Sequence, residues 1–180
     1  MASRDGVHFK RWNEAFLRPG LERSGTWQYG HQFIAEHVVE TKSALPGAPD
    51  ELSIYAPEDY WHGKGGALRR YTLRLDGFTS VRSSMKGGEL ISKPIIFEGS
   101  KFSVNFATSA AGSLRIELQT PEGKPIQGFT LRECADLFGD SVDRIVTWNQ
   151  SADVSSLQGK PIRLRIQLKD ADLSSFQFQK

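Results

Sequence analysis

The stretch KFSVNFATSAAGSLRIELQT, residues 101–120, alternates apolar and polar side chains in two successive runs. Phe102, Val104 and Phe106 share one face of the first run. Leu114, Ile116 and Leu118 share one face of the second, opposite Arg115, Glu117 and Gln119. Successive side chains of a strand point to opposite faces, so a sheet with one dry and one wet face requires this period of two. The break between the runs, SAAGS at 109–113, reads as a turn.

Working outward, PIRLRIQLKD (161–170) repeats the pattern with Ile162, Leu164, Ile166 and Leu168, and SSFQFQK (174–180) closes it with Phe176 and Phe178. Turn signals stand between the runs: EGS at 98–100, PEGKP at 121–125 and LQGKP at 157–161. Short strands separated by such turns predict an all-β fold, an antiparallel β-sandwich of jelly-roll-like form over residues 77–180. Helix is confined to a turn or two in LRECADLFG (131–139) and a single turn in SADVSSLQG (151–159), capped by Ser151 or Asp153.

Residues 1–76 read as a second unit. GTWQYGHQFIAEHVVET (25–41) is a long extended stretch, ELSIYAPEDY (51–60) a strand, and LRRYTLRL (68–75) another after a glycine-rich tip. Three strands joined by turns make a small antiparallel sheet of the kind found in a meander or a propeller blade. The boundary is placed at Asp76-Gly77, where a new alternating set begins.

Bulk composition narrows the function classes. The chain has 180 residues, 38% of them hydrophobic and 24% charged, with a net charge of +2, so wholesale disorder is excluded. Cations and anions are interspersed without a basic stripe, which argues against nucleic acid as a partner. No apolar run is long enough to span a membrane, so no membrane partner is expected. The single Cys134 has no neighbouring histidine in sequence and reads as a buried thiol. GGELISKP (87–94) lacks the Lys-Ser/Thr ending of a phosphate loop.

Several of these segments resemble a known family. SRDGVHFKRWNEAFLRPG (3–20), DELSIYAPEDYWHG (50–63), LRRYTLRLDGFTSV (68–81) and GGELISKPIIFEG (87–99) occur in that order. FATSAAGSLRIELQTPEGKPIQGF (106–129), GDSVDRIVTWN (139–149) and LQGKPIRLRIQLKDADLSSFQF (157–178) follow. Together they resemble the C-terminal portion of bacterial glycoside-hydrolase-like proteins in which a five-bladed propeller precedes a β-sandwich. The resemblance implies late propeller strands followed by the terminal sandwich, an upstream propeller domain as partner, and a secreted or periplasmic location. The family's catalytic carboxylates lie on early blades and map onto no residue here.

Candidate sites follow from sugar chemistry. Sugar rings are held by flat aromatic faces, with short polar side chains meeting the hydroxyls. Two clusters fit as carbohydrate-binding residues: Trp27, Tyr29, His31 and Glu36 on the long extended stretch, and Tyr60, Trp61 and His62 at the glycine tip. Trp12 and Trp148 lack polar company and read as core. His31 and His37 sit about 20 Å apart on an extended strand, too far to share one ion. Glu51, Glu58 and Asp59 flank a strand without forming a catalytic pair. The acidic loops FGDSVDR (138–144) and LKDADLSS (168–175) offer Asp140, Asp143, Asp170 and Asp172 as ligands for a structural calcium, the one cofactor considered. Three functions remain open: a noncatalytic accessory module of a carbohydrate-active protein that binds polysaccharide or oligosaccharide, a purely structural sandwich, and a glycan-hydrolysing enzyme.

Overall fold

The structure is a computed structural model that describes residues 1–3, 5–18, 33–58 and 66–180. It is all-β and antiparallel, with no α-helix among the described residues. None of them forms a helix long and apolar enough to cross a membrane. The chain divides into two compact units. One comprises Met1–Pro46 with Asp50–Leu73, the other Gly47–Pro49 with Arg74–Lys180.

In the smaller unit, β1 (Ala2–Ser3) and β2 (Phe9–Lys10) form a two-stranded hairpin. Asp5 shapes its turn by accepting the backbone N–H groups of Val7 and His8, at 2.9 and 2.7 Å. A three-stranded sheet runs in the order β3 (Val39–Thr41), β4 (Glu51–Glu58), β5 (Ala67–Arg74). Ile54 and Ala56 are its buried apolar side chains, and Arg70 ties it together. The guanidinium donates to Glu51 Oε1 at 2.6 Å, Ser53 Oγ at 2.7 Å and Thr41 Oγ1 at 2.8 Å. Trp12, expected in a core, is 46% exposed, with Lys10 Nζ 5.7 Å from its ring centroid. Two-residue strands build no layer thick enough to enclose an indole, and the lysine partly covers it instead.

The larger unit is one sheet. β8 (Lys101–Gln119) and β10 (Arg163–Gln179) pair along nearly their whole length, β9 (Asp140–Ile145) lies outside β8, and β6 (Val81–Ser83) and β7 (Gly88–Ile91) both pair with β10. SAAGS is therefore a corner within a strand, where a turn between two strands is the sequence-based expectation. Between Ser113–Lys169 and Thr108–Ala171, four residues of β8 stand against Asp170 alone, which takes φ 41°. Gly112 makes this corner possible, because a Cβ there would lie 2.4 Å from the Asp170 carbonyl oxygen.

Each extra residue flips which positions of β10 face inward. Leu164, Ile166 and Leu168 are buried, then Ala171 and Leu173 after the first register shift. Beyond the second shift, Phe178 packs on the core while Phe176 is 39% exposed at its rim. The buried face matches Phe102, Val104, Phe106, Leu114, Ile116 and Leu118, every one at most 1% exposed. Both halves of the sheet feed one apolar cluster, closed on its far side by Phe97, Leu137, Val146, Trp148, Val154 and Leu157. The expected turn in SADVSSLQG is a 3-10 turn at Ser155–Leu157, whose first N–H is accepted by Asp153 Oδ1 at 2.8 Å.

Trp148 and Cys134 hold the second half of β8 at Ile116. Ile116 turns its backbone groups away from β10, where Cys134 Sγ accepts its N–H at 3.3 Å and Trp148 Nε1 donates to its carbonyl at 2.8 Å. The indole packs on Phe102 and Phe129, so core packing and backbone satisfaction converge on one side chain. Burial pushes the Cys134 thiol up, keeping it protonated, in line with the reading of an inert buried thiol.

Candidate functional site

The wet face of the larger sheet carries its polar groups in rows, because paired residues on neighbouring strands share a face. One row runs from Glu89 on β7 through Gln167 on β10 to Arg115 on β8. It continues to Asp136, next to Leu137, which bridges Leu114. Gln167 Nε2 donates to Glu89 Oε1 at 2.7 Å, and Arg115 grips Asp136 with two N–H groups, one of them at 2.8 Å. Behind this row, Arg165 donates to Glu89 at 2.6 Å and approaches Glu117 at 3.5 Å. Glu117 is only 4% exposed and also accepts from Gln119 Nε2 and the Leu131 N–H.

The row from Glu89 to Asp136 floors an open groove of about 510 Å³, rimmed by Lys86, Gly87, Gly88 and Lys169. Its carboxylates are not poised for acid–base work. Arg165 holds Glu89 below the usual carboxylate range, and Arg115 does the same for Asp136. Both stay ionised at neutral pH, so neither can donate the proton a general acid must supply. What they can do is accept hydrogen bonds from a ligand's hydroxyl groups.

A smaller cleft of about 210 Å³ lies where β8, β9 and β10 meet, lined by Asp76, Ser103, Asn105, Asp143, Ser175 and Gln177 among others. Asn105 is 2% exposed and committed to the Leu75 carbonyl at 2.7 Å. Arg74 donates to Asn105 and Asp140, and also to the carbonyls of Phe106 at 2.9 Å and Ser141 at 2.6 Å. Those contacts repair the β8–β9 ladder where it shifts register between Val104 and Phe106. Phe176 also borders the cleft, its ring 5.8 Å from that of the fully buried Phe102.

Of the sequence-derived carbohydrate candidates, Trp27, Tyr29, His31, Tyr60, Trp61 and His62 lie outside the described residues. Glu36 is exposed and sits 3.8 Å from His37 Nε2. The four aspartates considered for calcium are not drawn together. Asp140 is held by Arg74, Asp143 borders the small cleft, Asp170 occupies the corner, and Asp172 accepts from Ser80 Oγ at 2.7 Å. Among the described residues no group of three or more His, Cys, Asp or Glu could hold a metal ion. LKDADLSS is not a loop but the doubly shifted part of β10, whose acids fall on wet positions. Glu58 is buried, its Oε1 2.8 Å from Arg69 Nε and 2.9 Å from the Tyr71 hydroxyl, while Glu51 pairs with Arg70. These two acids serve the small sheet.

The groove residues escaped sequence reading because they come from four separate segments. The available signal was a pair of polar matches at wet positions of the two long runs, Glu117 against the oppositely charged Arg165 and Arg115 against Gln167. In comparisons with known proteins, no family model, no curated protein and no solved structure matches the chain.

Proposed function

We propose that the chain is a noncatalytic accessory module of a carbohydrate-active protein, and that it binds glycan in the groove floored by Gln167 and Arg115. The observation that carries this reading is the state of the groove's carboxylates. Glu89 and Asp136 are exposed enough to meet a ligand, at 38% and 50%, yet are locked as ionised acceptors by Arg165 and Arg115. A rigid floor of acceptors and an amide suits a hydroxyl-rich chain, whereas hydrolysis needs a protonated carboxyl near a second carboxylate. The resemblance to the sandwich of glycoside-hydrolase-like proteins points the same way.

Affinity electrophoresis across neutral and acidic soluble polysaccharides tests the proposal. The wild type should be retarded by at least one of them. Ser113→Tyr, which fills the groove from an outward-facing strand position, should abolish the retardation without moving the melting temperature. Retention lost instead in Trp61→Ala would move the site to the aromatic cluster at 60–62. No retardation by any polysaccharide would leave the purely structural role as the better reading.

A further inference from the structure

The groove's charges do not cancel. Arg165 is taken up by Glu89 and Glu117, and Arg115 by Asp136. Lys86, in the turn before β7, and Lys169, at the corner of β10, line the same groove, are exposed, and have no acid partner among the described residues. Ser113, opposite Lys169 in the ladder, likewise has no hydroxyl partner among the described residues. Gly87 and Gly88 leave the rim beside Lys86 without side chains, and Gly87, at φ 81°, sits where a side chain would be strained. The groove thus presents two kinds of recognition group side by side: fixed carboxylates that accept from hydroxyls, and ammonium groups that seek an anion.

We propose that the ligand is an acidic polysaccharide, one whose sugar units carry carboxylate or sulfate as well as hydroxyl groups, with Lys86 and Lys169 taking the anion. The proposal rests on the glycan-binding reading above and names the class of glycan. Such units offer hydroxyl donors to Glu89 and Asp136 and an anion to the lysines, so both sets are satisfied together. A nucleic acid fits less well. The chain carries no basic stripe that would follow a phosphate backbone.

The test measures retardation of the full chain by polygalacturonate, dextran sulfate and neutral dextran, beside binding of a single-stranded oligonucleotide, at low and raised salt. Wild type should bind at least one acidic polymer and not dextran, and raised salt should weaken that binding. Lys86→Ala/Lys169→Ala should weaken it about tenfold or more. Lys86→Arg/Lys169→Arg should retain it, and the exposed-turn control Lys124→Ala should leave it unchanged. Loss of equal size in Lys124→Ala would show general ion exchange and overturn the proposal. Equal binding of dextran by wild type and double alanine variant would overturn it while leaving the glycan reading intact. Tighter binding of the oligonucleotide than of either acidic polymer would also overturn it, and absence of binding to every polysaccharide would remove both readings. The salt response of the wild type does not depend on any variant folding.

Discussion

Replacing Trp148 by phenylalanine removes one hydrogen-bond donor from the middle of the core and little else. The indole N–H lies 2.8 Å from the Ile116 carbonyl, in a side chain only 2% exposed, so water cannot take its place. A buried carbonyl deprived of its donor costs about 1–3 kcal/mol. The phenyl ring leaves part of the indole's space unfilled beside Phe102 and Phe129, adding about 1 kcal/mol. The expected loss is therefore about 2–4 kcal/mol. Urea unfolding followed by far-ultraviolet circular dichroism measures it without relying on the lost fluorophore. Cys134→Ala should act on the other half of the same backbone unit, stripping the acceptor from the Ile116 N–H, whereas Cys134→Ser restores an acceptor oxygen and should cost less. A loss below about 1 kcal/mol for Trp148→Phe would refute the idea that side chains complete the hydrogen bonding of β8 at Ile116.

Gly112→Ala should cost about 1–3 kcal/mol or more, because its Cβ would meet backbone at Asp170 and Lys169; a near-neutral result in the same urea assay would show that the corner yields freely. Arg165→Ala should cost about 3 kcal/mol by leaving the buried Glu117 carboxyl without its cationic partner. Because the folded pKa of Glu89 lies below its unfolded value, its pairing with Arg165 stabilises the fold above about pH 4.3 and is lost as pH falls through the folded pKa. Arg165→Ala should accordingly flatten the acid limb of a stability–pH profile, and an unchanged limb would count against the pairing. Cys134, buried and held protonated, should resist iodoacetamide in the native protein and react on unfolding, as read by mass spectrometry.

The facing of the core was legible wherever the period of two ran unbroken. Residues 102–106, 114–118 and 162–168 place their apolar side chains inward as alternation requires. It became illegible where backbone shifts change parity. Ala171 and Leu173 are inward on odd positions and Phe178 on an even one, so LKDADLSS reads as a polar loop although it is continuous strand. The groove was harder still, since each of its residues taken singly is an ordinary wet-face side chain. Only cross-strand register brings Glu89, Gln167 and Arg115 into one row, and register is not written in any one segment.

The pairing of β8 with β10 also governs how the larger unit must assemble. Its sequence-nearest rung joins Gln119 to Arg163 and its farthest joins Lys101 to Gln179, so the whole intervening segment must be looped out before the first central contact forms. Chain-closure entropy is then spent ahead of any reward from burial, which places refolding in the slow range of non-local β topologies, milliseconds to seconds. Zippering from Gln119–Arg163 toward the chain's end has to pass the corner at Gly112 before Phe102 and Phe106 find their partners. A substitution that stiffens or clashes at that corner should slow folding out of proportion to its effect on the finished sheet, and leave one half of each long strand formed while the other waits.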